Sequence, residues 1–129
     1  GPFAFVPDEL PVCTQDPRSS LFVRYDGAVS PCINLAVGGP SSFFGEEVVL
    51  PTVHYGRLPE DDLLTLWESE PCRFYRKRFA ERAEAHDREL AWTIMEPSLI
   101  KLQETFAKAR EAMPEAPPGC RTCHYLYDV

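Results

Sequence analysis

Four of the five cysteines in this 129-residue chain have a spacing that could do chemistry. Cys120-Arg-Thr-Cys123 is a Cys-x-x-Cys, while Cys13 and Cys32 stand singly near the start. A tight turn through Cys-x-x-Cys aims both sulfurs one way, so the pair can share one metal group. Two further thiolates complete the four-sulfur set usual for a cubane iron–sulfur cluster. The same donors also suit a structural zinc site, in which Zn2+ takes four thiolates tetrahedrally. Ligand type does not separate the two occupants, so spacing alone leaves both open. A secreted disulfide framework fits less well, because it packs an even cysteine count into a shorter chain. The layout points to metal ligation in a reducing compartment, and a cytoplasmic location is expected.

Other side chains with chemical potential read more simply. Cys72 shares a helical face with Trp67 and Phe79 and is expected as a buried apolar residue. His124 follows the last cysteine and is expected beside the site or in solvent, whereas His54 and His86 are isolated. Trp67, Phe74, Tyr75 and Phe79 read as core packing. Asp61-Asp62 reads as a helix start, where acids meet the positive helix end.

To hold four ligands, the chain must fold its two ends together. Gly1-Pro2 is read as the remnant of a cleaved tag, and residues 3–12, with two prolines, as an extended linker. Residues 13–129 are expected to form one domain. Leu21-Phe-Val-Arg-Tyr25 reads as a strand, and Asp26-Gly27 supplies the positive-φ positions of a tight hairpin turn. The return strand Ala28-Val29-Ser30 ends at Pro31-Cys32, so a β-hairpin delivers Cys32.

Residues 34–56 read as irregular, with a loop at Gly38–Ser42 and a short, proline-broken strand over Val48–Tyr55. Tyr55–Leu58 reads as a strand pair and a turn. Pro59-Glu-Asp-Asp62 opens a helix carrying Leu63, Leu64, Leu66 and Trp67, which stops near Ser69-Glu70-Pro71. A second helix is expected from Cys72 to about Ile94, divided at Pro97 from a stripe of Leu99, Leu102, Phe106 and Ala109. Pro114–Gly119 ends all helix and delivers Cys120. The expected fold class is α+β: a small N-terminal hairpin, then helices, with the Cys-x-x-Cys turn packed back on the hairpin.

Charge narrows the partners. Thirteen Lys and Arg against twenty Asp and Glu give a net charge of −7, which argues against a phosphate backbone. The densest basic stretch, Arg73–Arg82, reads as a solvated helix face or a docking surface. No apolar run reaches the roughly 18 residues of a membrane span, so no membrane partner is expected.

These pieces together resemble the SPASM and twitch domains that follow the barrel of many radical S-adenosylmethionine (SAM) enzymes. They are Cys13, Gly27-Ala-Val-Ser-Pro-Cys32, Gly56-Arg-Leu58, Leu63-Leu-Thr-Leu-Trp67 with Ser69, Arg76, and Cys120-Arg-Thr-Cys123. The resemblance implies an auxiliary [4Fe–4S] cluster on Cys13, Cys32, Cys120 and Cys123, and it favours iron–sulfur over zinc. It implies a radical SAM barrel in the same parent chain as partner, and a peptide, protein or small cofactor as substrate. It extends to maturases, both those associated with tungsten-containing oxidoreductases and those that modify peptides.

The chain departs from the full SPASM pattern, which continues to Cys-x5-Cys-x3-Cys and holds two clusters. The departure implies the one-cluster twitch arrangement or a sequence cut before those cysteines. The SAM-cleaving Cys-x-x-x-Cys-x-x-Cys is also missing, so catalysis by these residues alone is not expected and SAM belongs to the parent's barrel.

Overall fold

The computed structural model of the chain describes residues 8–91 and 99–127. Residues 1–7, which hold the expected tag remnant and half of the expected linker, lie outside the described residues, as does Pro97.

The expected first hairpin forms. Strand β1 (Phe22–Val23) pairs antiparallel with β2 (Ala28–Ser30), with Phe22 opposite Ser30 and Val23 opposite Val29. Asp26 stabilises the turn: its carboxylate accepts from the Ala28 N–H at 3.2 Å and pairs with Arg24 and Arg57. Gly27 has φ +91°, and a Cβ there would collide with the Leu58 carbonyl, so the position requires glycine. On the other side of β2 lies β5 (Gly56–Arg57), with Val29 opposite Gly56. The three strands form a small sheet in the order β1-β2-β5, and all three residues of β2 are buried.

Residues 34–56, expected to be irregular, are largely regular. A five-residue helix, α1 (Ile33–Val37), begins directly after Cys32 and buries Leu35 and Ala36. Gly38, at φ +63°, ends it by donating its N–H to the Asn34 carbonyl at 2.8 Å. The stretch expected as a loop at Gly38–Ser42 instead enters strand β3 (Gly39–Phe43), which pairs antiparallel with β4 (Glu46–Leu50). Phe44 (φ +49°) and Gly45 (φ +81°) make the two-residue turn between them.

Helix α2 (Leu63–Trp67) forms, but it starts about a turn later than the expected opening at Pro59, with residues 58–61 in a turn and bend before it. The Asp62 carboxylate caps it, accepting from the Thr65 N–H at 3.0 Å. Helix α3 (Glu70–Leu90) opens at Ser69-Glu70-Pro71, with proline in its first turn. Its buried stripe of Cys72, Tyr75, Phe79 and Arg82 recurs at three- and four-residue intervals. Helix α4 (Leu99–Ala112) packs along α3 and buries Ala109.

One core joins the parts: Val29, Cys32, Leu35, Tyr55, Leu66, Cys72, Tyr75, Phe79, Ala116, Cys120 and Leu126. The C-terminal turn therefore packs back against the first hairpin, in an α+β fold. Among the described residues no helix is long and apolar enough to cross a membrane.

Candidate metal centre

Cys32 sits where β2 hands over to α1, so both elements fix its backbone. Its carbonyl accepts the Ala36 N–H at 3.0 Å, and the Val53 and Tyr55 N–H groups bond to Leu35 and Val29 on either side. Cys13 lies on a turn whose Asp16 N–H returns to the Cys13 carbonyl at 3.1 Å. Cys120 and Cys123 lie on consecutive turns: Cys120 N–H bonds to Pro117 O at 2.8 Å, and Cys123 N–H to Cys120 O at 3.1 Å. Gly119 permits this approach, because a Cβ there would stand 2.6 Å from a Leu35 methyl and 2.9 Å from Pro51.

All four cysteines line one cavity, which Leu35, Gly119 and Leu126 close with apolar surface. Cys32 and Cys120 are buried, while Cys13 and Cys123 are half-buried. Burial pushes the thiols of Cys13, Cys32 and Cys120 above the ordinary cysteine range, and each is pushed further by its neighbouring sulfurs. The backbone N–H groups after Cys13 and after Cys32 act in the opposite direction and favour thiolate. Thiols so buried hold their protons until a metal cation displaces them and stabilises the thiolate. Among the described residues no three Cys, His, Asp or Glu side chains could hold a single metal ion.

The donor set fits an iron–sulfur cluster. The four candidate donor atoms are all sulfurs of residues lining a common cavity, and a hydrogen-bond donor already addresses one of them. Asn34 Nδ2 donates to Cys123 Sγ at 3.3 Å, from the second residue of α1. Such contacts orient ligands and tune the metal group. Asn34 was not apparent in the sequence. Its only signal is its position two residues after Cys32.

The remaining candidates fall away from the cavity. Cys72, on α3, is fully buried in the core beside the polar side chains of Tyr55 and Arg76 and does not line the cavity. The His124 ring bonds to the Ser42 carbonyl and packs edge-on against Phe43, so it ties β3 to the tail. His54 lies against Ala36 O at 3.3 Å, and His86 pairs with Asp87. The basic stretch is mixed: Arg73 and Lys77 face solvent, Arg76 stacks 4.3 Å over the Trp67 ring, and Arg82 is buried.

Fold and cavity define a small α+β domain built around four cysteines. The chain belongs to the family of SPASM iron–sulfur cluster-binding domains, whose model matches residues 13–90, more than half its length. The match begins at Cys13 and includes Cys32; Cys120 and Cys123 lie beyond it. Neither curated proteins nor solved structures give a match.

Proposed function

We propose that Cys13, Cys32, Cys120 and Cys123 together hold one auxiliary [4Fe–4S] cluster, and that the domain serves a radical SAM enzyme. The observation that carries this reading is the convergence of four cysteines, from three separate stretches of chain, on one apolar cavity in a SPASM-family domain. Such a cluster supplies one-electron chemistry at a potential set by hydrogen bonds and exposure. The chain's own contribution is to present the thiolates, exclude water through Leu35 and Leu126, and donate from Asn34 to a ligand sulfur. In the parent enzyme the domain would cap the barrel's open end, help hold a peptide, protein or small-cofactor substrate, and pass or accept an electron. A maturase is the kind of parent that the sequence motifs favour.

The test is to replace each cysteine with alanine and load the protein anaerobically with iron and sulfide. Cys13→Ala, Cys32→Ala, Cys120→Ala and Cys123→Ala are each expected to lose most bound iron, while Cys72→Ala retains it. Full iron in any of the first four would remove that residue from the ligand set.

A further inference from the structure

Cys32 is held between β2 and α1, but Cys13, Cys120 and Cys123 arrive on segments with little regular structure. Residues 8–20 contain one isolated bridge, Glu9 opposite Tyr127, and residues 113–127 contain turns and a single 3-10 turn over His124–Leu126. No strand ladder sets the distance between Cys13 and the Cys120–Cys123 turn. One side chain spans that gap.

Arg82 projects from α3 with only 1% of its surface exposed. A charge so deeply buried is costly unless its N–H groups are met. Nε donates to Pro11 O at 3.0 Å, and Nη2 to Leu10 O at 2.8 Å. Nη1 donates to Pro114 O at 2.7 Å, and Nη2 also pairs with Glu9 Oε1 at 2.9 Å. Three acceptors are therefore backbone carbonyls on two different segments, one leading into Cys13 and the other into Cys120. The segments also meet directly, where the Leu10 N–H bonds to Leu126 O at 2.7 Å. The anchor is itself fixed to the site, since Phe79, one turn earlier on α3, shares the core with Cys32 and Cys120. The planar guanidinium suits this task, with five donors in a rigid fork. An ammonium on a flexible stem cannot reach all four acceptors at once.

We propose that Arg82 is the positioning residue of the four-cysteine site, joining the segment that carries Cys13 to the segment that carries Cys120 and Cys123 so that both grip one cluster. The inference rests on the cluster reading above and adds to it a residue that touches no ligand. It explains why a buried cation is kept in a core where an apolar side chain would cost less to bury.

The experiment compares wild type, Arg82→Lys, Arg82→Gln and Arg78→Lys after anaerobic loading with iron and sulfide. Arg78 is the control, on the same helix and also donating to the tail, at Glu115 O, but from the solvent side. Folding is followed by far-UV circular dichroism, and the cluster by iron loss to a chelator and by the EPR spectrum after reduction. Arg82→Lys is expected to keep its fold yet lose iron about tenfold faster, in line with the usual effect of removing a ligand-orienting partner. Its EPR spectrum shifts, because the thiolates are presented differently. Arg82→Gln loses iron faster still, and Arg78→Lys matches wild type. Wild-type iron retention and EPR spectrum in both Arg82 variants would overturn the proposal. So would loss of the fold in both, which would make Arg82 a general stability residue. Wild-type protein that takes up no iron would instead overturn the cluster reading, and this inference with it.

Discussion

The molecule contains two hairpins that differ in nearly every physical respect. The first, β1–β2, is built into the core: Ala28, Val29 and Ser30 are fully buried, and the chain leaves it at Cys32. The second, β3–β4, lies on the surface, with Val49 77% exposed and Phe44 45% exposed. It is attached to the tail through His124 and the ring contacts of Phe43 and Phe44 with Tyr127. One hairpin leads directly into Cys32 of the cavity, while the other leans on the tail at His124 and Tyr127. Burial, rather than hairpin geometry, decides which of them the site depends on.

Glycine substitutions in the two turns would expose this difference most strongly. Gly27 and Gly45 have similar φ values, +91° and +81°. A Cβ at Gly27 meets the Leu58 carbonyl, whereas one at Gly45 meets nothing within 4 Å. Gly27→Ala thus carries both backbone strain and a clash with backbone, and is expected to cost about 3 kcal/mol or more and to reduce iron binding. Gly45→Ala carries the strain alone and is expected to cost about 1 kcal/mol, with iron content unchanged. Denaturant melts of both apo proteins, with iron content after loading, check the pair. Equal losses would erase the distinction between the hairpins.

A smaller effect is expected at Asp26. Its ion pair with Arg24, helped by the Ala28 N–H and Arg57, holds the carboxyl well below the usual carboxylate range. A depressed folded-state pKa gives stability that is present above the unfolded value, about 3.9, and is lost as pH falls below it. Thermal melts of wild type should therefore drop more steeply below pH about 4 than those of Asp26→Asn, while at pH 7 the variant melts lower. Parallel pH profiles would contradict this account of the turn.

The same contrast explains what could be read from the sequence. Asp26-Gly27 announced the first hairpin because those residue types accept positive φ, and Asp62 announced α2 because a carboxylate caps a helix. The second hairpin turns at Phe44-Gly45, and a bulky aromatic at positive φ is not a turn signal. Its first strand, Gly-Pro-Ser-Ser-Phe, contains residues that strands usually avoid. It is paired along its whole length by β4 and held at one end by the tail, which is tertiary information. Helix α1 was missed for a similar reason: five residues are too few to show a helical period.

At the site, the cysteines were legible because their residue type and spacing declare metal chemistry. Asn34 and Arg82 were not, since an amide and a guanidinium acquire their roles only when distant segments meet. Arg82 even sits in a basic run that reads as a solvated face or a docking surface, yet its helical spacing from Cys72, Tyr75 and Phe79 turns it inward.

The central claim is that four cysteines hold an iron–sulfur cluster, and the most direct measurement is the iron, sulfide and zinc content of anaerobically purified protein, taken with its visible absorption. The account predicts a coloured protein with about four irons and four sulfides per chain, showing thiolate-to-iron charge transfer. One zinc per chain, no sulfide and no colour would contradict it and make the four cysteines a structural site.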